Sequence, residues 1–171
     1  TKTENKNIPV YADHEEQQNI DLAQYTKRLK GEKIYGRIDG KRLVPYYDRK
    51  AIGHGKILES RAQVLAWLDD PVDLFFLQIQ GSGKIYPKSG PPINVHYHAT
   101  NGHPYRSIGK YLIDKGAIPR SEMSMQAIRS YLKDHPEAID TVLNYNPSYV
   151  FFKKEMEGPL GYLEVKLTPG R

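Results

Sequence analysis

The stretch "DLFFLQIQGSGKIYP" (residues 73–87) carries the most informative pattern of this 171-residue sequence. It starts as an apolar run that is typical of a buried strand, and we predict a strand over 72–80. On a strand, Gln78 and Gln80 would lie on the same face, because successive side chains alternate between the two faces. The Gly81-Ser82-Gly83 turn that follows would let a ligand or another segment approach the backbone closely.

Two interpretations of this stretch stay open from the residue types alone. An amide side chain offers both a donor and an acceptor, which matches a sugar hydroxyl or an N-acetyl group. The alternative is a polar strand end followed by an ordinary turn. A phosphate-binding loop is disfavoured, because Lys84 is followed by Ile-Tyr-Pro instead of Ser or Thr at the start of a helix.

The composition is that of an ordinary globular protein, with 39% hydrophobic and 26% charged residues. The absence of cysteine excludes disulfides, thiolate metal sites and cysteine nucleophiles. The net charge of +5 is spread along the chain without a block of five like charges, which disfavours a nucleic-acid-binding arm. Thirteen tyrosines suit stacking against carbohydrate, although they also suit half-buried strands.

The remaining patterns predict alternating short elements. A capping box formed by Ser60 and Gln63 predicts a helix over 60–71 that ends at Pro71. Asp39-Gly40 predicts a hairpin turn within 33–47. Further helices are predicted over 20–30, 107–116, 124–136 and 137–145, and further strands over 8–11, 92–99 and 148–154. The fold class is therefore α+β, mainly β, with a barrel-like antiparallel sheet decorated by several short helices.

A second candidate site is the loop "NGHPYRS" (101–107), just before a predicted helix. A helix start attracts an anion or a carbonyl oxygen, and His103, Tyr105 and Arg106 would surround it. The alternative is that His103-Pro104 only shapes the entry to the helix. His96 and His98 share a strand face but lack a helical zinc motif, so we interpret them as solvated surface residues. No acid–base pair can be nominated, and we expect neither a metal nor a cofactor.

Six segments occur in a distinctive order: "GKRLVPYYDR" (40–49), "DDPVDLFFLQIQGSG" (69–83), "NGHPYRSIGKYLIDKG" (101–116), "MSMQAI" (123–128), "NPSYVFF" (146–152) and "GPLG…LTPGR" (158–171). From the first to the last they span residues 40–171, which is most of the chain. In sequence and order these segments resemble the MltA family of lytic transglycosylases.

The resemblance implies an enzyme that cleaves the β-1,4 bond between N-acetylmuramic acid and N-acetylglucosamine in peptidoglycan and leaves a 1,6-anhydro end. It implies a periplasmic protein that a lipid anchor, absent from this chain, holds at the outer membrane. Residues 20–157 correspond to the family's inserted barrel domain, 1–19 to an extended or flexible lead-in, and 158–171 to the start of the return into a double-psi barrel domain. The family's catalytic Asp lies in that other domain, so we expect this chain alone to be inactive.

The same resemblance suggests which residues contact the glycan strand. The expected substrate-binding residues are Gln78, Gln80, Gly81, Ser82, Gly83, Tyr97, Asn101, Tyr105, Arg106, Ser124, Gln126 and Asn146. Met125 and Ile128 are assigned to the core. The expected partners are peptidoglycan glycan strands and the double-psi barrel domain, and not nucleic acid. Two alternatives remain: a structural insert that shapes the partner domain with little sugar contact, and a basic nucleic-acid-binding module.

Overall fold

The computed structural model describes residues 8–13, 16–55 and 57–155, which form antiparallel sheets and short helices. The strands are β1 (Ile8–Tyr11), β2 (Gln17–Asp21), β3 (Lys33–Asp39), β4 (Arg42–Pro45), β5 (Val64–Leu68), β6 (Ser82–Ile85), β7 (Ile93–Thr100) and β8 (Val150–Lys154). The α-helices are α1 (Arg49–Gly55), α2 (Pro71–Gln80), α3 (Ile108–Asp114), α4 (Met125–Asp134) and α5 (Ile139–Asn144).

Three antiparallel sheets have the strand orders β1-β5, β2-β3-β4 and β6-β7-β8. A parallel bridge between Ala12 and Phe152 links the end of β1 to β8 and so joins two of them. Among the described residues the sheets are open and do not close into a barrel, so the barrel-like form of the predicted sheet is not found there. The predicted α+β class with antiparallel sheets and several short helices is confirmed.

The predicted strand over 72–80 is wrong: this segment is helix α2. Asp70 caps its N-terminus, with its side chain accepting a hydrogen bond from the N–H of Val72 at 2.8 Å. Pro71 occupies the first turn, where the missing N–H of proline costs no hydrogen bond within the helix. Gly81 ends the helix at φ 79°, a left-handed conformation that favours glycine.

The run resembled a buried strand because α2 is covered on nearly every side. Leu74 and Leu77 belong to one hydrophobic cluster, which packs against the strands. Phe75 and Phe76 belong to a second cluster, which packs among α3, α4 and α5. A helix that lies between two cores has no polar stripe, so its periodicity cannot be distinguished from that of a buried strand.

The predicted helix over 60–71 is also wrong. Residues 57–61 form a turn, and Val64–Leu68 form β5. Strand β5 pairs with β1, with Leu68 opposite Ile8 and Ala66 opposite Val10. This pairing joins segments more than 50 residues apart, and such tertiary contacts override the local capping signal.

The other predicted elements are largely confirmed. The hairpin is β3–β4, with Asp39 opposite Arg42. The bounds of strand β7, helices α3 and α4, the short helix α5 and strand β8 all lie within two residues of those predicted. The predicted helix over 20–30 is instead the end of β2 followed by two short 3-10 helices, Leu22–Gln24 and Lys27–Leu29. The tail 158–171 lies outside the described residues.

Candidate functional site

The glycine turn brings the C-terminus of α2 against strand β7. The carbonyl of Gly81 accepts a hydrogen bond from the N–H of Tyr97 at 2.6 Å. A Cβ atom added at Gly81 would lie 3.8 Å from the Cβ of Tyr97, so the tyrosine side chain starts directly beside the glycine. Ser82 follows as the first residue of β6 and pairs with His96. Gly81 and the exposed Gln80 therefore lie beside Tyr97, whereas the side chain of Ser82 lies with that of His96 on the other face of the sheet.

A second tyrosine extends this patch. Tyr97 is 42% exposed, and the pKa of its hydroxyl is raised, first by partial burial and then by Tyr35 nearby. Tyr35 lies on β3, where Gly102 packs against its ring so closely that an added Cβ would come within 2.4 Å of the Tyr35 Cβ. The patch of Gln80, Gly81, Tyr97 and Tyr35 is called the Tyr97 surface below.

The two glutamines do not share a face, because they lie on a helix and not on a strand. Residues two apart on a helix point in nearly opposite directions. Gln80 is exposed, whereas Gln78 is only 5% exposed. The Gln78 amide accepts from Nη1 of Arg49 at 2.6 Å and donates to the carbonyl of Val150 at 3.3 Å. The prediction that both amides face one ligand from a strand is wrong.

Asn101 is also part of the interior, at 1% exposure. Its Nδ2 donates to the carbonyls of Tyr47 and Pro147, both at 2.9 Å. Its Oδ1 accepts from the N–H of Tyr149 at 2.9 Å and from that of His103 at 3.3 Å. All four hydrogen-bonding positions of this amide are thus used within the protein.

Asn146 has a similar position at 1% exposure. Its Oδ1 accepts from the N–H groups of Arg106 and Ser148, both at 3.2 Å. Its backbone carbonyl accepts from Nε of Arg49 at 2.9 Å. Gln78, Asn101 and Asn146, three of the predicted substrate-binding residues, together with Arg49, therefore form a buried polar layer beneath the loops. Arg49 was not among the residues predicted to have a functional role, although it lies in the segment "GKRLVPYYDR" (40–49).

Most of the other residues of the loop 101–107 are exposed to solvent. Tyr105 is 60% exposed. The guanidinium of Arg106 lies 5.8 Å from the centre of the Tyr145 ring. His103 turns inward, with its Nε2 2.5 Å from the carbonyl of Tyr46. Ser107 caps α3 by accepting from the N–H of Lys110 at 3.2 Å, so the predicted helix start is present.

The predicted residues of the segment 123–128 lie on helix α4. Ser124 caps this helix by accepting from the N–H of Ala127 at 3.0 Å, and Gln126 is exposed. Ile128 is buried as predicted, but Met125 is 43% exposed, so its assignment to the core is wrong. Gly83, the last predicted residue of the glycine turn, pairs with Val95 between strands β6 and β7.

A groove of about 500 Å³ lies elsewhere, and none of the predicted residues lines it. It is lined by Ala12, Asp13, Gln17, Gln63, Leu65, His98, Phe152, Lys153 and Lys154. Asp13 and His98 form an ion pair across it at 3.6 Å when the imidazole is protonated. The sequence indicated this groove only weakly. Asp13 and His98 are 85 residues apart, and a lone Asp or His is an ordinary surface residue.

Within the described ranges 8–13, 16–55 and 57–155, no three or more His, Asp or Glu side chains are grouped so that they could hold a metal ion. The helices in these ranges are too short or too polar to span a membrane.

A profile of the MltA-specific insert domain matches residues 1–153. The chain belongs to the MltA family. Curated relatives include the membrane-bound lytic murein transglycosylase A of Escherichia coli K12, 46% identical over 103 residues, which are 59% of this chain and 28% of that protein. The corresponding Vibrio cholerae protein is 32% identical over 66% of this chain and 31% of its own length.

Solved MltA structures have the same fold. MltA from Neisseria gonorrhoeae matches with a TM-score of 0.79 and 31% identity over 91% of this chain and 46% of that one. A membrane-bound lytic murein transglycosylase from Agrobacterium tumefaciens matches with a TM-score of 0.80 and 33% identity over 91% and 44%. This chain therefore spans about a third of the curated relatives and just under half of these two solved chains.

Proposed function

We propose that the whole protein is a lytic murein transglycosylase and that this chain supplies part of its glycan-binding surface. The proposed reaction cleaves the β-1,4 bond between N-acetylmuramic acid and N-acetylglucosamine and leaves a 1,6-anhydro end. Family membership supports this, since relatives from two organisms carry the name lytic murein transglycosylase. The word "membrane-bound" in those names supports association with a membrane, and the location that we propose is the periplasm at the outer membrane.

The observation that carries the binding role is the hydrogen bond from the N–H of Tyr97 to the carbonyl of Gly81. It joins the end of α2 to strand β7 in the Tyr97 surface, which combines aromatic faces, tyrosine hydroxyls and an exposed amide. Aromatic faces stack against the apolar face of a sugar ring, and amides bond its hydroxyl and N-acetyl groups. Tyr105 and Arg106 extend the proposed contact along the loop 101–107, whereas Ser124, Gln126 and Gly83 are weaker candidates.

The acid that cleaves the bond is proposed to lie outside this chain, in a double-psi barrel domain of the same protein. A single carboxyl group would protonate the leaving oxygen and then accept the proton of the C6 hydroxyl as it attacks C1. We propose the domain bounds 20–157 for the insert and 158–171 for the return into the other domain. No metal or cofactor enters this scheme.

A second role, shaping the partner domain, is supported by one apolar surface. Ile34 and Ile38 lie on the same face of β3, with Leu43 opposite Ile38 on β4. They are 42%, 58% and 38% exposed. Exposed aliphatic clusters on a sheet mark a surface that another domain or protein covers. Both roles are compatible in one protein, because this surface and the Tyr97 surface involve different residues.

Titration with a hexamer of N-acetylglucosamine tests the binding role. We expect saturable binding that weakens at least about tenfold in Gln80→Ala, which corresponds to about 1.4 kcal/mol. The matched control is Gln24→Ala. Gln24 is an exposed glutamine on a short 3-10 helix and does not belong to the Tyr97 surface. If the chain does not bind, or if both variants bind like the wild type, the glycan-binding role is wrong and only the structural role is left.

A second assay tests the proposed division of labour. The chain is incubated with peptidoglycan, and the release of 1,6-anhydro products is compared with a blank. We expect no release above the blank. Release by this chain alone would show that a carboxyl group within the 171 residues performs the cleavage.

A further inference from the structure

Arg49 links two segments within the buried polar layer. It is 7% exposed and donates three side-chain hydrogen bonds: one to Gln78 on α2, and two to the carbonyls of Asn146 and Ser148 in the segment 146–148. Its own N–H donates to the carbonyl of Pro147 at 3.1 Å. The guanidinium lies over Phe75, 4.7 Å from the ring centre, and near Tyr149 at 5.4 Å.

The charge of Arg49 is buried without a counter-charge. Every hydrogen-bond acceptor given above is a neutral amide or carbonyl, and within the described ranges no carboxylate lies within ion-pair distance of it. Burial lowers the pKa of Arg49 to about 10, so the side chain still carries its charge at neutral pH. Taking an ion out of water costs several kcal/mol, and an apolar residue of similar size is often as good for stability.

The contacts of Arg49 reach both the loop 101–107 and the end of α2. Arg49 binds both sides of Pro147, so it fixes the segment 146–148. That segment in turn holds the loop 101–107, because Oδ1 of Asn146 accepts from the N–H of Arg106. Through Gln78, Arg49 also holds the last turn of α2, which leads directly into Gln80 and Gly81.

We propose that Arg49 is a positioning residue: it sets the loop 101–107 and the C-terminus of α2 in the mutual arrangement that the glycan strand requires. A planar guanidinium suits this task, because its fixed fork of donors reaches several acceptors at once, which a lysine ammonium on a flexible stem does not. The inference rests on the proposed glycan-binding function and names the residue that organises that surface from below.

The chain offers a closely matched control, Arg129 on α4, which contacts the same helix α2. Arg129 donates from Nη1 to Asp73 at 2.6 Å, and its guanidinium lies 4.7 Å from the centre of the Phe76 ring. The distances equal those of Arg49 to Gln78 and Phe75. Arg129 differs in two respects. It has a carboxylate partner, Asp73, and it packs against Phe76 of the second hydrophobic cluster, so it is not part of the Tyr97 surface.

The test compares Arg49→Lys and Arg129→Lys in the 171-residue chain. The first readout is amide hydrogen exchange at Arg106 and Ser148, measured relative to Ile128 in α4 and well below the unfolding temperature. The second is the dissociation constant for the N-acetylglucosamine hexamer. In Arg49→Lys we expect at least about tenfold faster exchange at both amides and at least about tenfold weaker binding. Arg129→Lys should leave both readouts at their wild-type values.

If Arg49→Lys does not fold, Gln78→Met replaces it, because it removes one acceptor and keeps the arginine; the same two changes are expected. Unchanged affinity in the folded variant overturns the positioning role, even if the amides exchange faster. Equal effects from both lysine variants also overturn it, because they would indicate a general loss of stability. If the wild-type chain does not bind the hexamer, the proposed function itself fails.

Discussion

Nη1 of Arg49 lies 2.6 Å from Oε1 of Gln78, and both side chains are almost fully buried. The contact joins the first residue of α1 to the last turn of α2. Arginine at a helix N-terminus opposes the helix dipole, so the helix gains nothing from its charge. The pair therefore serves tertiary structure, and it explains why one glutamine of "QIQ" lies inside the protein while the other faces solvent.

The two glutamines should respond oppositely to truncation. Gln78→Ala leaves a donor of Arg49 and the carbonyl of Val150 without partners in the interior, so the free energy of unfolding should fall by about 2–4 kcal/mol. Gln80→Ala should change it by less than about 0.5 kcal/mol, because this side chain is exposed. Urea unfolding of both variants checks this, and equal losses would contradict the observed burial.

Capping distinguishes the observed helix from the predicted one. Asp70→Ala should lower the free energy of unfolding by about 1 kcal/mol, because it removes the N-cap of α2. Ser60→Ala should have almost no effect, since Ser60 lies in a turn and not at a helix start. A larger loss from Ser60→Ala than from Asp70→Ala in urea unfolding would restore the capping box that the sequence suggested.

Local signals predicted the elements whose stabilisation is local. Ser107 and Ser124 cap α3 and α4 as expected, and Asp39-Gly40 forms the hairpin turn. Helix α2 was predicted as a strand and strand β5 as part of a helix, because their secondary structure depends on distant partners. These partners are two cores for α2 and strand β1 for β5.

The same reason limits what sequence can say about the site. The hydrogen bonds of Arg49 span 29 to 99 residues, so no local pattern could separate buried amides from exposed ones. The hydrogen bond between Gly81 and Tyr97 joins two of the residues that were predicted to contact the glycan. The roles of these residues toward sugar stay a prediction.

Two glycines with positive φ should differ in their tolerance of alanine. At Gly102, φ is 78° and an added Cβ would meet the Tyr35 side chain at 2.4 Å, so Gly102→Ala should cost more than about 2 kcal/mol. At Gly90, φ is 102° but nothing lies within 4 Å, so Gly90→Ala should cost only about 1 kcal/mol of backbone strain. Thermal unfolding of both variants measures the difference, and equal shifts of the midpoint would rule out the close contact between Gly102 and Tyr35.

Alkaline pH should weaken the fold through buried tyrosines. Burial raises the pKa of Tyr46 and Tyr149 above the ordinary value of 10.0. A raised pKa in the folded state means that their contribution is complete below pH 10 and is lost as pH rises through the folded pKa. Arg49 acts in the opposite direction, because its lowered pKa removes a buried charge from the folded state above about pH 10.

The variant Tyr149→Phe isolates the tyrosine effect. Phenylalanine cannot ionise, so the fall in the free energy of unfolding between pH 10 and pH 11 should be smaller than in the wild type. Tyr25→Phe is the control, because Tyr25 is 74% exposed. Urea unfolding at several pH values measures both slopes, and identical slopes for Tyr149→Phe and the wild type would argue against this source of alkaline instability.

The most direct test of the central claim, that the Tyr97 surface binds the glycan strand, is an amide chemical-shift titration of the isotope-labelled chain with the N-acetylglucosamine hexamer. We predict saturable shifts concentrated at Gln80, Gly81, Ser82, Tyr97 and Tyr105. Shifts that instead cluster around the groove of Asp13 and His98, or no saturable shifts at all, would contradict it.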